Sequence, residues 1–387
     1  MVAPEKWGYP GAMRRSLLFS ALLVLAACFP AVASAAPERY IVVLKDDVSN
    51  PAAVAGDQSR RNGADVGFVY GHALKGYSAT IPSERVAALR ADSRVEYVVP
   101  DGVATAVAQT LPWGINRIDA DTSSTLAGNG FGAVSNVNAY VIDSGIASHL
   151  DLNLIGHVNF ASGKNTDCNG HGTHVAGTIA ARDNASDVVG VAPGAPLTGV
   201  KVLGCSGSGS WSGVIKGIDW VTADASKLGS KPAVANMSLG GAANQAVDDA
   251  VRRSAASGVL YAVAAGNDGA NACNFSPARA GTTDGILTTA ATDSLEREAS
   301  WSNFGPCVDI WSPGVSILST RRGGGTTTMS GTSMASPHSA GGAALYLSSH
   351  TAASTATVEG ALKASATSTG TLSKTGRSIK RLSVGGF

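Results

Sequence analysis

The sequence predicts an α/β fold, a mostly parallel sheet flanked by helices, preceded by a small α+β domain. Three observations carry this expectation. From Trp113 onward, short apolar runs alternate with helical patterns, the order that builds parallel strands with crossover helices. Upstream, residues 38 to 105 carry strand patterns and one short helix of their own. Glycine takes 47 of 387 positions, about 12% where about 7% is usual, and aromatic residues only 6%. Tight turns and a core of small, closely packed side chains follow. With 44% hydrophobic and 15% charged residues, the chain is neither disordered nor a charge-rich coiled coil. Residues 1–36 contribute +2 and residues 37–106 contribute −1 to the formal net charge of +1, which leaves residues 107–387 at zero. No basic face is present to recruit nucleic acid or anionic lipid.

Taken in order, residues 1–35 read as a secretory signal. Arg14 and Arg15 precede the apolar run Leu17–Cys28, and the small residues Ala33-Ser34-Ala35 follow. The run is short for a membrane span. Met13 is an alternative start, because residues 1–12 add nothing such a segment needs. Leu25-Ala26-Ala27-Cys28 resembles a bacterial lipobox, so a lipid anchor through Cys28 is the alternative to plain secretion. Residues 36–108 form the small domain, with strands at 40–44, 76–81 and 95–99 and a short helix after Ser83 that uses Val86 and Leu89.

Residues 109–387 form the large domain. Strands are expected at 138–142, 197–203, 233–239 and 259–264. Helices are expected at 172–181, 211–225, 245–256 and from Ser333 to about Ser348, with one more around Val358 and Leu362.

Functional groups of open parallel sheets gather at the carboxyl ends of strands. Asp143 stands at such an end, before Ser144-Gly145. His171 lies between glycines at a helix start, in Asn169-Gly170-His171-Gly172-Thr173-His174. An imidazole acting as general base needs access to the reacting hydroxyl and a carboxylate to fix its tautomer. His171 and His174 are three apart with no glutamate between them, unlike a helical zinc motif, and His174 reads as structural. Ser333, in Gly331-Thr332-Ser333-Met334-Ala335-Ser336-Pro337, opens a helix whose dipole favours a nucleophile and a developing oxyanion. Pro337 is expected within about its first turn. No Gly-x-Ser-x-Gly elbow occurs. Cys168, Cys205, Cys273 and Cys307 allow three pairings, and no Cys-x-x-Cys suggests zinc.

These residues resemble the subtilisin-like serine peptidases, whose triad runs Asp, His, Ser along the chain. The resemblance covers residues 113 to 380, and residues 36–108 look like the family's inhibitory propeptide. It implies a secreted serine endopeptidase in which Ser333 attacks, His171 moves the proton, Asp143 orients the ring and Asn267 donates to the oxyanion. It further implies that Ser238-Leu239-Gly240 and Ala264-Ala265-Gly266 line the pocket before the cleaved bond. Gly207-Ser208-Gly209-Ser210-Trp211 would be an opposing edge strand for an extended peptide. The Asp167-Cys168-Asn169-Gly170-His171 stretch resembles aqualysin-like members of the proteinase K group, which implies bridges Cys168–Cys205 and Cys273–Cys307.

Asp309 aligns with a calcium-binding aspartate of that group, although the Ala280–Thr292 stretch is longer here; a structural calcium is therefore the one cofactor implied. The chemistry itself needs none. Expected partners are protein and peptide substrates and the chain's own propeptide, as inhibitor and folding template, cut between Ala104 and Thr110. The mature domain is expected to act as a monomer. Two rival classes remain for comparison. A binding or surface-anchoring protein that keeps the fold without turnover would not need the intact catalytic set. A nucleotide-binding reading rests on Gly128-x-Gly130-x-x-Ala133, but that cluster precedes a strand instead of following one.

Overall fold

The computed structural model describes residues 38–102 and 109–387, in two compact units divided after Thr105. The expected signal segment, Cys28 and most of the Ala104–Thr110 stretch lie outside the described residues.

In the first unit, β1 (Glu38–Leu44), β2 (Asp65–Tyr70), β3 (Gly76–Ile81) and β4 (Val95–Pro100) form an antiparallel sheet of order β2-β3-β1-β4. Helices α1 (Pro51–Asn62) and α2 (Val86–Arg90) close it over Val42, Leu44, Tyr77, Ile81 and Leu89. Helix α1 and strand β2 add to the expected elements. Asn50 caps α1 by accepting the Ala53 N–H at 3.0 Å, Pro51 supplies the first turn, and Gly63 ends the helix at φ +62°.

The second unit begins with α3 (Trp113–Arg117) and then winds β5 (Asn138–Asp143), β6 (Leu154–Asn159), α4 (His171–Ala180), β7 (Leu197–Lys201) and α5 (Trp211–Ala225). It continues through β8 (Ala233–Met237), the two-residue β9 (Gly241–Ala242), α6 (Gln245–Ala256), β10 (Val259–Ala264), β11 (Phe275–Ser276), β12 (Ile286–Thr292) and β13 (Ile310–Pro313). The hairpin β14 (Ile317–Thr320) and β15 (Thr326–Met329), α7 (Thr332–Ser349), α8 (Thr355–Ser365), β16 (Thr367–Leu372) and β17 (Ser378–Arg381) complete it. Nine strands order as β16-β17-β13-β12-β10-β8-β5-β7-β6, parallel except for β16 with β17. The order reverses around β5, which has β7 on one side and β8 on the other. Its carboxyl end is therefore a switch point, where such sheets place their sites.

Strand β5 is buried along its whole length, so its side chains feed two cores in alternation. Ala139 and Val141 join α4, α7 and α8 on one face; Tyr140 and Ile142 join α5 and α6 on the other. Small residues let α4 and α7 approach closely. A Cβ at Gly341 of α7 would lie 3.2 Å from the Ile179 carbonyl oxygen of α4 and 2.6 Å from Val191 Cβ.

The glycine cluster weighed as a nucleotide motif has an anion from the chain itself. Gly128, Gly130 and Gly132 donate their N–H groups to the Asp183 carboxylate at 3.0, 2.9 and 3.1 Å. The Gly207–Trp211 segment departs from the expected edge strand. Gly207 sits at φ +79°, Ser210 caps α5 by accepting the Gly213 N–H at 3.1 Å, and Trp211 is already helical. Ser-Gly alternation here encodes a turn and a cap.

Candidate active site

Asp143 ends β5 with a fully buried side chain, and its Oδ1 accepts the Ser144 N–H at 2.6 Å. His171 is the first residue of α4, preceded by Gly170 at φ +107°. Gly172 is required: a Cβ there would lie 2.1 Å from the Gly145 carbonyl oxygen and 3.2 Å from Asp143 Cβ. The close approach lets His171 Nδ1 meet Asp143 Oδ1 at 2.8 Å and Oδ2 at 3.0 Å. Nδ1–H therefore faces the carboxylate and Nε2 keeps its lone pair. Burial alone would lower the imidazole pKa; the charge of Asp143, its hydrogen bond and the charge of Asp167 outweigh that and hold it above the ordinary histidine value.

Ser333 is the second residue of α7 and is half-buried. Its hydroxyl donates to the Ser238 carbonyl at 3.1 Å. Asn267 is held by its oxygen, which accepts the N–H and the hydroxyl of Thr332, both at 2.9 Å. Its Nδ2 makes no hydrogen bond among the described residues, and neither does the Ser333 N–H. Two donors at one helix N-terminus are thus left for an incoming oxygen. Pro337 lies inside α7, beyond the first turn. Lacking an N–H, it frees the Ser333 carbonyl, which accepts the Ser238 hydroxyl at 2.7 Å instead.

Two cavities meet at Ser333. One, of about 530 Å³, is lined by His171, Leu203, Gly207–Gly209, Trp211, Val214 and Ser238–Gly240. The other, of about 390 Å³, is lined by Leu239, Gly240, Ala264–Gly266, Asn267, Asp268, Phe275 and Thr332. The structure thus brings all the segments expected around the site to these walls, with Gly207–Trp211 contributing as a turn and helix start. Asp268 was not foreseen in this lining; it is exposed, with Oδ2 3.3 Å from Asn303 Nδ2.

Residues 135–379 match the model of the Subtilase family, and residues 39–106 match that of Peptidase inhibitor I9. The chain belongs to the subtilase family. It is 40% identical over 401 residues to the "Extracellular serine proteinase" of Thermus sp. (strain Rt41A), covering 89% of this chain and 92% of that one. It is 43% identical over 332 residues to "Alkaline serine exoprotease A" of Vibrio alginolyticus, covering 81% of this chain but only 59% of that relative's length. Among solved structures, a cold adapted subtilisin-like serine proteinase superposes with a TM-score of 0.61 at 40% identity, covering 71% of this chain and 98% of that one. As a subtilase preceded by an inhibitor domain, the chain is a subtilisin-like serine endopeptidase with a mostly parallel sheet flanked by helices, as the motifs lead one to expect.

Both disulfides carry the pairing the resemblance implies: Cys168–Cys205 and Cys273–Cys307. The first ties the subtilase His171 loop to the turn before α5. His174 is structural, buried completely with Nε2 3.0 Å from the Ile317 and 3.2 Å from the Thr327 carbonyl oxygen.

Calcium at Asp309 does not fit the residues around it. Oδ1 lies 3.2 Å from the Lys363 ammonium and Oδ2 accepts the Thr288 N–H at 2.8 Å. Lys363 also reaches Glu359 Oε1 at 2.9 Å, so a fixed cation stands against the carboxylates a divalent ion would use. Burial pushes the Asp309 carboxyl up to about 6, with the Thr288 N–H and Lys363 opposing. Among the described residues no group of three or more His, Cys, Asp or Glu side chains is arranged to hold a metal.

Proposed function

We propose that this chain is exported as an inactive precursor and matures into a broad-specificity endopeptidase acting through an acyl-enzyme on Ser333. One arrangement supports the reading above all: the Asp143–His171 pair beside Ser333, with the Ser333 N–H and Asn267 Nδ2 free. His171 Nε2 takes the Ser333 hydroxyl proton as Oγ bonds to the peptide carbonyl carbon. The carbonyl oxygen becomes an oxyanion, stabilised by the Ser333 N–H and Asn267 Nδ2. As the C–N bond breaks, Nε2 returns the proton to the leaving amine, and the ester remains on Ser333. Water, deprotonated by the same imidazole, releases the acid. Asp143 keeps the ring in its working tautomer and stabilises its charged form throughout.

An extended substrate held by backbone hydrogen bonds is read only by the pockets. The walls at Ala264–Gly266 and Ser238–Gly240 carry no charge, so a buried ionic side chain loses several kcal/mol there while an apolar one gains. Aromatic and aliphatic residues before the cleaved bond are therefore preferred. Exposed Asp268 gives basic side chains a secondary place at the same pocket. The inhibitor-like residues 39–106 act as folding template and inhibitor until cut between Ala104 and Thr110. Export agrees with the extracellular naming of the Thermus relative.

Ser333→Ala tests the core of this reading: the purified variant folds, hydrolyses no peptide and stays unprocessed. Complete self-processing of that variant refutes it. A peptide library scored by kcat/KM tests the pocket, and a dominant basic or acidic preference refutes the apolar assignment.

A further inference from the structure

A second carboxylate stands behind the Asp143–His171 pair, on the turn that leads into α4. Asp167 is 2% exposed, yet it is surrounded by donors, and among the described residues no arginine or lysine forms an ion pair with it. Its Oδ1 accepts the Ser144 hydroxyl at 3.0 Å and the N–H groups of Asn169 and Gly170 at 2.9 and 2.8 Å. Its Oδ2 accepts the Thr173 N–H at 3.0 Å and the Thr173 hydroxyl at 2.6 Å. Ser144 in turn accepts the Gly172 N–H at 3.0 Å. One carboxylate thus fastens the first turn of α4, which carries His171, to the residue that follows Asp143 in the chain.

The Asp143 side of this joint is clamped as well. Lys201 pairs with Asp143 across β5 and β7 and is fully buried; its Nζ donates to the Ser144 carbonyl at 2.8 Å and the Leu203 carbonyl at 2.9 Å. The neighbouring disulfide sulfur of Cys168 lies 3.6 Å from the same nitrogen.

We infer that Asp167 is a positioning residue for the catalytic imidazole: through Ser144 it sets the distance between His171 and Asp143, and its fixed negative charge stabilises the imidazolium formed during turnover. The inference rests on His171 being the base. The charged and titratable groups around the ring are Asp143 from β5, Asp167 from the turn before α4, Lys201 from β7, His174 one turn along α4, and Arg322 on the β14–β15 hairpin. Arg322 Cβ lies 3.8 Å from where a Cβ on Gly170 would be. Of these, Asp143 and Asp167 raise the imidazole pKa against the effect of burial.

The test is the pH dependence of kcat/KM for the mature enzyme on an uncharged peptide, with wild type, Asp167→Asn and Ser144→Ala. Wild type rises along an acid limb as His171 loses its proton. Asp167→Asn moves that limb down by about half to one pH unit, because a neutral side chain no longer favours the imidazolium. Ser144→Ala keeps the charge and breaks the fastening, so the limb stays where it is while kcat falls by about tenfold with little change in KM. A limb unmoved in Asp167→Asn overturns the electrostatic part, and an unchanged kcat in Ser144→Ala overturns the fastening, even where Asp167→Asn does not accumulate. A wild-type profile with no acid limb refutes His171 as base; a wild-type limb that the variants leave untouched refutes only the role given to Asp167.

Discussion

Lowering the pH from 7 to 5 charges His174 and His338 in the unfolded chain while the fold keeps both neutral, and the structure sets the size of the effect. His338 and His174 are completely buried. Burial holds His338 down to about 4, with its hydrogen bond to the Met334 carbonyl opposing and the charge of His174 assisting. His174 also falls to about 4, through burial first, with the Ile317 carbonyl opposing and the charge of His171 assisting. Each has a buried ring nitrogen without a partner among the described residues, Nε2 of His338 and Nδ1 of His174. In the unfolded chain both titrate near pH 6.5, so below that pH the unfolded state binds more protons and stability falls with pH. The loss runs from about pH 6.5 to about pH 4 and then stops. Between pH 7 and 5 each ring removes about 2 kcal/mol, and the pair about 4. Urea unfolding of Ser333→Ala, which cannot digest itself, measures this at the two pH values. In a His338→Asn background the amide takes over donation to Met334 without titrating, and the loss between pH 7 and 5 shrinks by about 2 kcal/mol. Contributions from carboxylates and from His171 are common to both proteins and cancel. Equal pH dependence in the two would show that His338 is not held neutral in the fold, and the reasoning would fail.

Two further outcomes are expected. Asn267→Ala removes one of the two free donors and lowers kcat by about 100- to 1,000-fold with KM nearly unchanged, a range characteristic of oxyanion donors in this family; an unchanged kcat would take Asn267 out of that role. Reducing Cys168–Cys205 and Cys273–Cys307, which close loops of 37 and 34 residues, removes about 3 to 4 kcal/mol each in the chain-entropy description, read as a lower Tm under reductant. A Tm indifferent to reduction would count against both bridges.

The sheet was legible because β5, β8 and β10 are buried on both faces and read as mostly apolar runs. Asp143, His171 and Ser333 were legible because each puts a polar residue at the end of an element, with glycine one or two positions away. What escaped was long-range or ambiguous. Asp167 reaches Ser144 across 23 residues, and its other partners are mostly backbone N–H groups that leave no mark in composition. Lys363 meets Asp309 across 54 residues, so an aspartate that reads as a metal ligand is already paired with a cation. Lys201 fits no amphipathic pattern, since it points its charge into a strand end. The Gly207–Trp211 segment reads two ways in sequence, because serine and glycine serve turns and caps as readily as edge strands. Asp268 follows directly on Asn267, and nothing local distinguishes a residue that lines a pocket from one that faces away.

The close packing of α4 on α7 has a consequence for where tolerance to change lies in this enzyme. His171 opens one of these helices and Ser333 opens the other, so the pair works as the two arms of a caliper whose pivot is the contact near Gly341 and Ile179. A methyl group added at Gly341 would stand 2.6 Å from Val191 Cβ and 3.2 Å from the Ile179 carbonyl oxygen, so something at this contact must shift, and neither substrate pocket is lined by these residues. Substitutions there would erode turnover while leaving affinity intact, and a lineage adjusting its rate to temperature has in this buried contact a dial that its substrates never sense.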